Sequence, residues 1–467
     1  MYDAVIVGSG PNGLAAAVTF ALAGKRVVVY EGRETIGGGT RTEELTEPGV
    51  LHDVCSSVHP LGIGSPFLAS LPLHEHGLDW AHPPIPFAHA METGESVFVH
   101  RSIDETAAAL GPDGRVWKKI MGPFVADWDR TVRLATGPPL RAARSPVAGL
   151  RFARWGLRSG EHLAGAFDTD RGRALVAGLA AHSIAPLDTA ASGGVALTLA
   201  GAAHAVGWPF AFGGSAAITT ALASYLEARG GEIHTGRWIR RMGDIPDTRT
   251  ILFDTSAQSA AAIAGENMTP GRRRRYRSRP VGPGSFKLDI ATNGPIPWAD
   301  PRLGQAGTVH IGGTYEEIAD AEEDVAGGRI PVRPFVLLTQ PLIADRSRAP
   351  AGVGVVWAYC HVPAGSSADM AKSIMRQIER FAPGFGATVR SVAVRGPAEF
   401  EEDNPNNVGG DISGGPLSLM GVMRRPTFIK PYRAGTGIYL CSSATPPGAG
   451  IHGMCGHHAA RAALKEM

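Results

Sequence analysis

Cysteine is scarce, with four in 467 residues (Cys55, Cys360, Cys441 and Cys455) and no CxxC spacing among them. This excludes a regular disulfide framework and makes a reducing cytosol the default compartment. Charge of one sign is equally lacking. A net charge of +2 gives no footprint of its own for a nucleic-acid partner. No basic leader precedes the first strand pattern, so no signal peptide is expected. The longest uncharged run, Thr189 to Leu226, exceeds a membrane span, yet "HAVGWPFAFGGS" breaks it with histidine, proline and paired glycines. Metal-ligating spacing is absent too: the adjacent histidines of "GHHAA" point to different helix faces. What remains is an ordinary globular composition, 44% hydrophobic and 19% charged, with 61 glycines and 35 prolines for many tight turns. The length suits two connected domains.

The opening stretch, "YDAVIVGSGPNGLAAAVTFALAGKRVVVYEGRE", carries the first chemistry. An apolar strand (Ala4 to Val7) runs into Gly8-Ser9-Gly10-Pro11-Asn12-Gly13, and an alanine-rich helix pattern follows. In such a unit Gly8 makes the turn, Gly10 lets backbone approach a pyrophosphate, and Gly13 lets helix and strand pack closely. The helix that starts at Pro11 adds the free N–H groups of its first turn, from Asn12 onward, for the phosphates. A second strand ends at Glu31, placed to accept both hydroxyls of an adenosine ribose. The ligand is a dinucleotide, and FAD and NAD both qualify at this point.

Further along, residues 76 to 204 lose the strand and helix alternation. The pattern resumes at "WPFAFGGSAAITTALASYLEARGGEIHTG", with a helix between glycine pairs and then a strand. After the arginine run "RRRRYRSRP", stretches such as "GSFKLDIAT", "RPFVLLTQP" and "VGVVWAYCHV" alternate as in an antiparallel sheet with one covered face. The chain closes with "TGIYLCSSATPPGAGIHGMCGHHAARAALKEM", again strand, glycine-rich loop and helix.

Four of these motifs together, GxGxxG with Glu31, "GGGTRT", "GGSAAITTALASYLEARGGEIHTG" and "PPGAGIHGMCGHHAA", resemble the amine oxidase and phytoene desaturase superfamily of flavoproteins. The similarity is strongest to its bacterial group akin to pyridine nucleotide-disulphide oxidoreductase domain 2. The resemblance implies an α/β fold: a Rossmann-type FAD-binding domain (1–75, 205–280 and 415–467) with an interleaved mixed α/β substrate domain on an antiparallel sheet (76–204 and 281–414). It implies noncovalent FAD. Gly38 and Gly39 would approach the pyrophosphate from the side opposite the first helix, with Arg41 offsetting its charge. Ile239 would lie beside the adenine. Ser57 and Val58, in "HDVCSSVHPLG", fall where relatives bring backbone past the reactive edge of the flavin. The C-terminal loop and helix start, Ile451, His452, Gly453 and Met454, would face the flavin N1 and C2 carbonyl. Ser442 and Ser443 stand where relatives often carry an acid that bonds the ribityl chain.

For catalysis the resemblance singles out Lys287, in "FKLDIATNGPIPW" with Trp298, to hold a water near flavin N5. The alternative is a lysine solvated on the outer face of its strand. His59 is the best histidine candidate, with a purely structural histidine as the bland reading. Cys55 is a lesser candidate, and its redox pairing with Cys455 requires two loops to meet. Trp357 and Tyr359 share a strand face that either lines a pocket or packs as core. His182 and His204 sit among small apolar residues and read as buried, hydrogen-bonded histidines. The basic stretch 130–158 suits either a surface helix with snorkelling arginines or a peripheral membrane contact where a lipophilic substrate enters.

No second GxGxxG is visible, which argues against a nicotinamide reductase of the disulphide type. The implied activity is transfer of a hydride from a C–C or C–N bond of a small or lipophilic organic substrate to flavin N5, with oxygen, a quinone or another acceptor reoxidising the flavin. Two alternatives stay open. One is a redox-neutral isomerase or a reductase using reduced FAD, and the other is a noncatalytic flavin-binding interaction protein. Substrate identity and oligomeric state are not legible.

Overall fold

A computed structural model describes residues 1–92, 94–138, 146–416 and 430–467. Residues 139–145 of the basic stretch and 417–429 of the C-terminal segment lie outside them.

The first strand, β1 (Ala4–Val7), is apolar at every position and buried throughout, as a strand covered on both faces must be. Helix α1 (Pro11–Leu22) follows, with proline in its first turn where no N–H is needed. The return strand β2 (Val27–Tyr30) pairs parallel with β1. These strands form the centre of a six-stranded sheet. Strands 251–253 and 438–440 extend it in parallel on one side and strand 232–234 on the other, while strand 433–435 closes one edge antiparallel. Alanines of α1, helix 216–227 and helix 454–464 bury one face of this sheet. The result is a Rossmann-type layer.

A second, seven-stranded sheet runs in the order 389–395, 284–293, 353–362, 336–339, 306–311, 85–90 and 97–99. It departs from the sequence expectation in two ways. Strands 306–311 and 85–90 pair parallel, so the sheet is mixed and not purely antiparallel. Strands 284–293 and 353–362 are also buried on both faces except at their ends. The reason is what lies on each side. Phe286, Leu288 and Ile290 pack with Ile374, Ile378 and Phe381 of helix 371–381, whereas the opposite face, at Lys287 and Trp357, is capped by the 53–54 backbone. A layer of helices between residues 103 and 205 covers the distal half of this sheet through Trp117, Leu175 and Leu179, with Trp208 just beyond its last helix.

No described helix is long and apolar enough to cross a membrane. The uncharged run 189–226 instead divides into helices 192–205 and 216–227 around a short strand at 210–211.

Candidate active site

A single cavity of about 930 Å³ runs from the glycine-rich turn of the Rossmann layer to the space between the second sheet and the helices. Gly8, Gly10, Pro11, Asn12, Glu31, Gly38, Gly39, Arg41 and Ile239 all line its first part. Glycine is required here by contact. A Cβ at Gly10 would lie 2.6 Å from Asp254 Oδ2, and one at Gly13 only 2.1 Å from the Gly8 carbonyl oxygen. Gly13 itself stays off the wall and donates its N–H to Asp254 Oδ2 at 2.7 Å. Gly38 abuts Gly10 on the cavity wall, its Cβ position 3.3 Å from Gly10 Cα. Asn12 leaves a buried Oδ1 with no partner.

Glu31 is held in place by Ser9, whose amide and hydroxyl donate to Oε2 at 3.0 and 2.6 Å, and by the Arg33 amide on Oε1. Arg41 is already paired, with Glu43 at 2.9 Å and with Asp403, and Asp403 also takes Arg33 and Arg395. Three guanidiniums against two carboxylates leave one positive charge at this mouth, the same as a lone Arg41 would supply but spread over the network. Asp254 is a residue that sequence reasoning missed, as is Arg348. Burial pushes its carboxyl up to about 7, with Glu31 adding and the Gly13 N–H opposing.

At the middle of the cavity stand Ser57, Val58, His59, Ser443, Ile451 and His452. Asp53 organises this region. Its carboxylate accepts from the Ser215 amide (2.8 Å), Thr42 Oγ1 (2.9 Å), Ser57 Oγ (3.1 Å) and Arg348 Nη1 (3.0 Å). Burial alone would raise the carboxyl, but Arg348 and these donors bring it below its usual value. Arg348 in turn binds Asp345 and is itself fully buried.

The tautomer of His59 follows from its neighbours. Ser215 Oγ donates its proton to the Ser56 carbonyl, so toward His59 it can only accept, and Nε2–H lies 2.9 Å away. Nδ1 therefore keeps its lone pair, and among the described residues no group meets it. Burial holds the ring neutral, its pKa brought down to about 4, with Arg348 adding and Asp53 opposing.

Lys287 is the main correction. It is neither solvated nor presented to the cavity. Its three ammonium protons go to the carbonyls of Asp53 (2.7 Å) and Val54 (2.9 Å) and to Asp289 (2.7 Å), while the Trp357 ring lies 5.8 Å away. Lys287 is paired in register with Tyr359, so it stands on the right face of the sheet but one strand away from the wall. Burial lowers its pKa and Asp289 counters.

The C-terminal helix start is a second correction. Gly453, at φ +65°, turns so tightly against Ala15 that a Cβ would come within 2.9 Å, and the Met454 amide is taken by His452 Nδ1 at 3.1 Å. Neither Gly453 nor Met454 reaches the wall.

The far part is an apolar chamber. Leu337, Trp357 and Tyr359 form its sheet side, and Leu134, Phe152, Leu157, Leu199 and Trp208 its helical side. Trp357 and Tyr359 thus line the pocket instead of filling core. His182 also lines it, whereas His204 lies off the wall, bonded to Trp117 Nε1 and to the Arg101 carbonyl. All four cysteines are free: Cys55 is on the cavity wall, and Cys455 donates weakly to the Thr445 and Gly448 carbonyls. Among the described residues no group of three or more His, Cys, Asp or Glu is arranged to hold a metal.

Comparison with known proteins agrees with the Rossmann-type fold. A family profile described as an NAD(P)-binding Rossmann-like domain matches residues 6–67. The chain is homologous to pyridine nucleotide-disulfide oxidoreductase domain-containing protein 2 of Rattus norvegicus, 25% identical across all of this chain and 94% of the rat protein, and to its Mus musculus counterpart at the same identity. Its fold is shared with a crystal structure of an oxidoreductase from Methanosarcina mazei (13% identity, TM-score 0.67, 99% of both chains). It is shared as well with cyclohexylamine oxidase from Brevibacterium oxydans (16% identity, TM-score 0.61, covering 100% of this chain and 99% of that one).

Proposed function

We propose that this chain is an oxidoreductase that binds FAD noncovalently and removes a hydride from a C–C or C–N bond of a neutral, largely apolar substrate. The cavity carries this reading: one continuous space joins the glycine turn to the chamber, and its charge is confined to one end. Glu31, Arg33, Arg41, Asp254, Arg237 and Asp403 line the nucleotide part. Among the described residues, the chamber formed by Leu337, Trp357, Tyr359, His182 and Trp208 contains no Lys, Arg, Asp or Glu. Asp411 borders it, but its carboxylate is consumed by the amides of Gly282, Ser413, Gly414 and Gly415.

The residues fit a flavin dinucleotide. The turn is close-packed backbone, where a Cβ at Gly10 would strike Asp254 and one at Gly38 would press on Gly10, Asn12 lines the same wall, and Glu31 is fixed for the ribose hydroxyls. FAD, when bound, supplies the two-electron acceptor. The protein supplies position. His59 offers Nδ1 as an acceptor where nucleotide part and chamber meet, and as a base of pKa about 4 it orients a donor group better than it removes a proton. Trp357 and Tyr359 exclude water and set the substrate plane. The chamber's helical side is flanked by exposed Leu150 and Leu157 with Arg151, Arg154 and Arg158, which supports approach of a lipophilic substrate from an anionic membrane surface.

The test is the visible spectrum of the purified protein. Flavin absorbance that acid precipitation releases into solution supports noncovalent FAD. Anaerobic bleaching by a polyene, an amine or a small cyclic metabolite identifies the donor class, and recovery with air or a quinone identifies the acceptor. Protein without flavin overturns the reading, and flavin that no donor bleaches moves it to redox-neutral chemistry.

A further inference from the structure

The sheet side of the chamber carries one polar tip. Tyr359 stands on strand 353–362, on the face it shares with Trp357 and Leu337, while Ala358 and Cys360 on the other face pack with helix 371–381. Side chains rise from a sheet roughly at right angles, so the phenol carries its hydroxyl away from the strands and toward the helical side. Trp357 and His361 hold the ring along its strand, with centroids 5.1 and 5.4 Å away. Tyr359 is only 8% exposed, and it lines the cavity. Among the described residues its hydroxyl meets no hydrogen-bond partner, yet it is not sealed inside the protein as the orphaned Tyr276 hydroxyl is. The cavity is the space it opens to.

The other hydroxyl and indole donors of the chamber wall are spent within the protein. Trp357 Nε1 donates to the Asp53 carbonyl and Trp208 Nε1 to Thr308 Oγ1, both at 3.0 Å. Thr198 and Thr136 donate back into their own helices, to the Gly194 carbonyl at 2.7 Å and the Val132 carbonyl at 2.6 Å. His182 has its Nε2 engaged with His310. That leaves the Tyr359 hydroxyl. Burial pushes its pKa well above the usual phenol range, with Glu322, Cys55 and Cys360 adding, so it keeps its proton and acts as a donor. Glu322 is bonded to His361 Nδ1 at 2.8 Å and gives the hydroxyl no acceptor. A carboxylate on the substrate would be an unpaired charge in a chamber without Lys or Arg among its described residues, so the acceptor that fits is neutral.

We propose that Tyr359 is a specificity-determining residue whose hydroxyl donates a hydrogen bond to a neutral oxygen acceptor, such as a carbonyl, on an otherwise apolar substrate. The inference rests on the chamber being the substrate site. It turns a chamber lacking charge into one that recognises an uncharged acceptor on a lipophilic body.

The test uses the flavin-loaded protein and two probes of nearly equal shape, cyclododecanone and methylenecyclododecane, with a carbonyl oxygen in one and a methylidene carbon in the other. Both are titrated by tryptophan fluorescence, since Trp208 and Trp357 lie on the chamber wall. Tyr359→Phe should weaken binding of the ketone about threefold to tenfold, the value of one hydrogen bond, and leave the alkene unchanged. Comparing each probe between the two proteins cancels the different cost of taking the probes out of water. Isotope-edited infrared spectra give a second readout: the carbonyl stretch of the bound ketone should lie below its position in hexane, as for a carbonyl that accepts a hydrogen bond, and return to it in Tyr359→Phe. Removing a hydroxyl that has no protein partner should leave the melting temperature unchanged, so a lower one would show the hydroxyl bonded inside the protein and overturn the proposal. Equal ketone affinity in the two proteins, an equal loss for both probes, a stretch at the hexane position in the wild type, or no binding of either probe overturns it as well. Flavin content, read separately from visible absorbance, reports on the cofactor reading, so either can fail without the other.

Discussion

The nucleotide end of the cavity takes its wall largely from backbone that is close in sequence, Gly8 to Asn12, Glu31 and Gly38 to Arg41, whereas the chamber takes its wall from side chains as distant as Val58, His182, Trp208 and Tyr359. One end is built by leaving side chains out, the other by bringing them in. The two ends should therefore fail differently. A glycine position fails when an atom is added, and a chamber scaffold position fails when one is removed.

The largest effect is expected at the scaffold. Lys287→Met leaves Asp289 buried without its cation and the Val54 carbonyl without its donor, which should cost about 3–5 kcal/mol in denaturant unfolding. Little loss of stability together with slower turnover would return Lys287 to the role that the sequence suggests, at the cavity.

That lysine shows where sequence reading runs out. The Rossmann unit was legible because its turn, helix and acid lie within thirty-odd residues in a fixed order. Alternation along 284–293 was legible too, and it puts Lys287 opposite Phe286 and Leu288. What covers that face was not legible, because the covering carbonyls of Asp53 and Val54 lie more than two hundred residues upstream. Asp254 and Arg348 escaped for the same reason: their partners Gly13 and Asp53 are 241 and 295 residues away. The parallel pairing of 85–90 with 306–311 is likewise set by packing under the helical layer and leaves no local signal.

Next in size is Gly13→Ala. Its Cβ meets the Gly8 carbonyl oxygen, so the turn must open, at about 1–3 kcal/mol and with most of the flavin lost from the purified protein. Retained flavin at wild-type stability would show that the turn yields easily and that the glycine cradle matters less than the chamber.

Asp254→Asn should act in the opposite direction. The carboxyl keeps its proton to about 7 in the folded protein against 3.8 ordinarily, so the folded state holds a proton that the unfolded chain has released. Stability falls as the pH rises from about 4 to about 7 and stays lower above it. Asparagine still accepts from the Gly13 N–H without the charge. Melting temperatures of the two proteins should coincide near pH 4 and separate toward pH 8 in favour of the variant, by a few kcal/mol at most. Flavin retention at pH 8 should also improve, because an ionised carboxylate beside Gly10 repels a pyrophosphate. Parallel melting curves across that range would mean that the carboxylate is ionised throughout.

The smallest expected effect lies at the outer limit of the nucleotide end, where a side chain enters the glycine-built wall. Trp238 is 51% exposed and its indole covers Gly32 so closely that a Cβ there would meet Cδ2 at 2.6 Å. It lines the cavity beside Ile239 and Glu31, where the adenosine would rest. A half-exposed ring contributes little to folding, so Trp238→Ala should leave unfolding unchanged. A lost aromatic contact of about 0.5–1.5 kcal/mol should weaken flavin retention roughly threefold to tenfold, measured by the fluorescence of FAD released on dilution. Unchanged retention would mean that the adenosine stops at Glu31, and that no aromatic side chain is needed at the nucleotide end, which sharpens the contrast with the chamber and its Trp208, Trp357 and Tyr359.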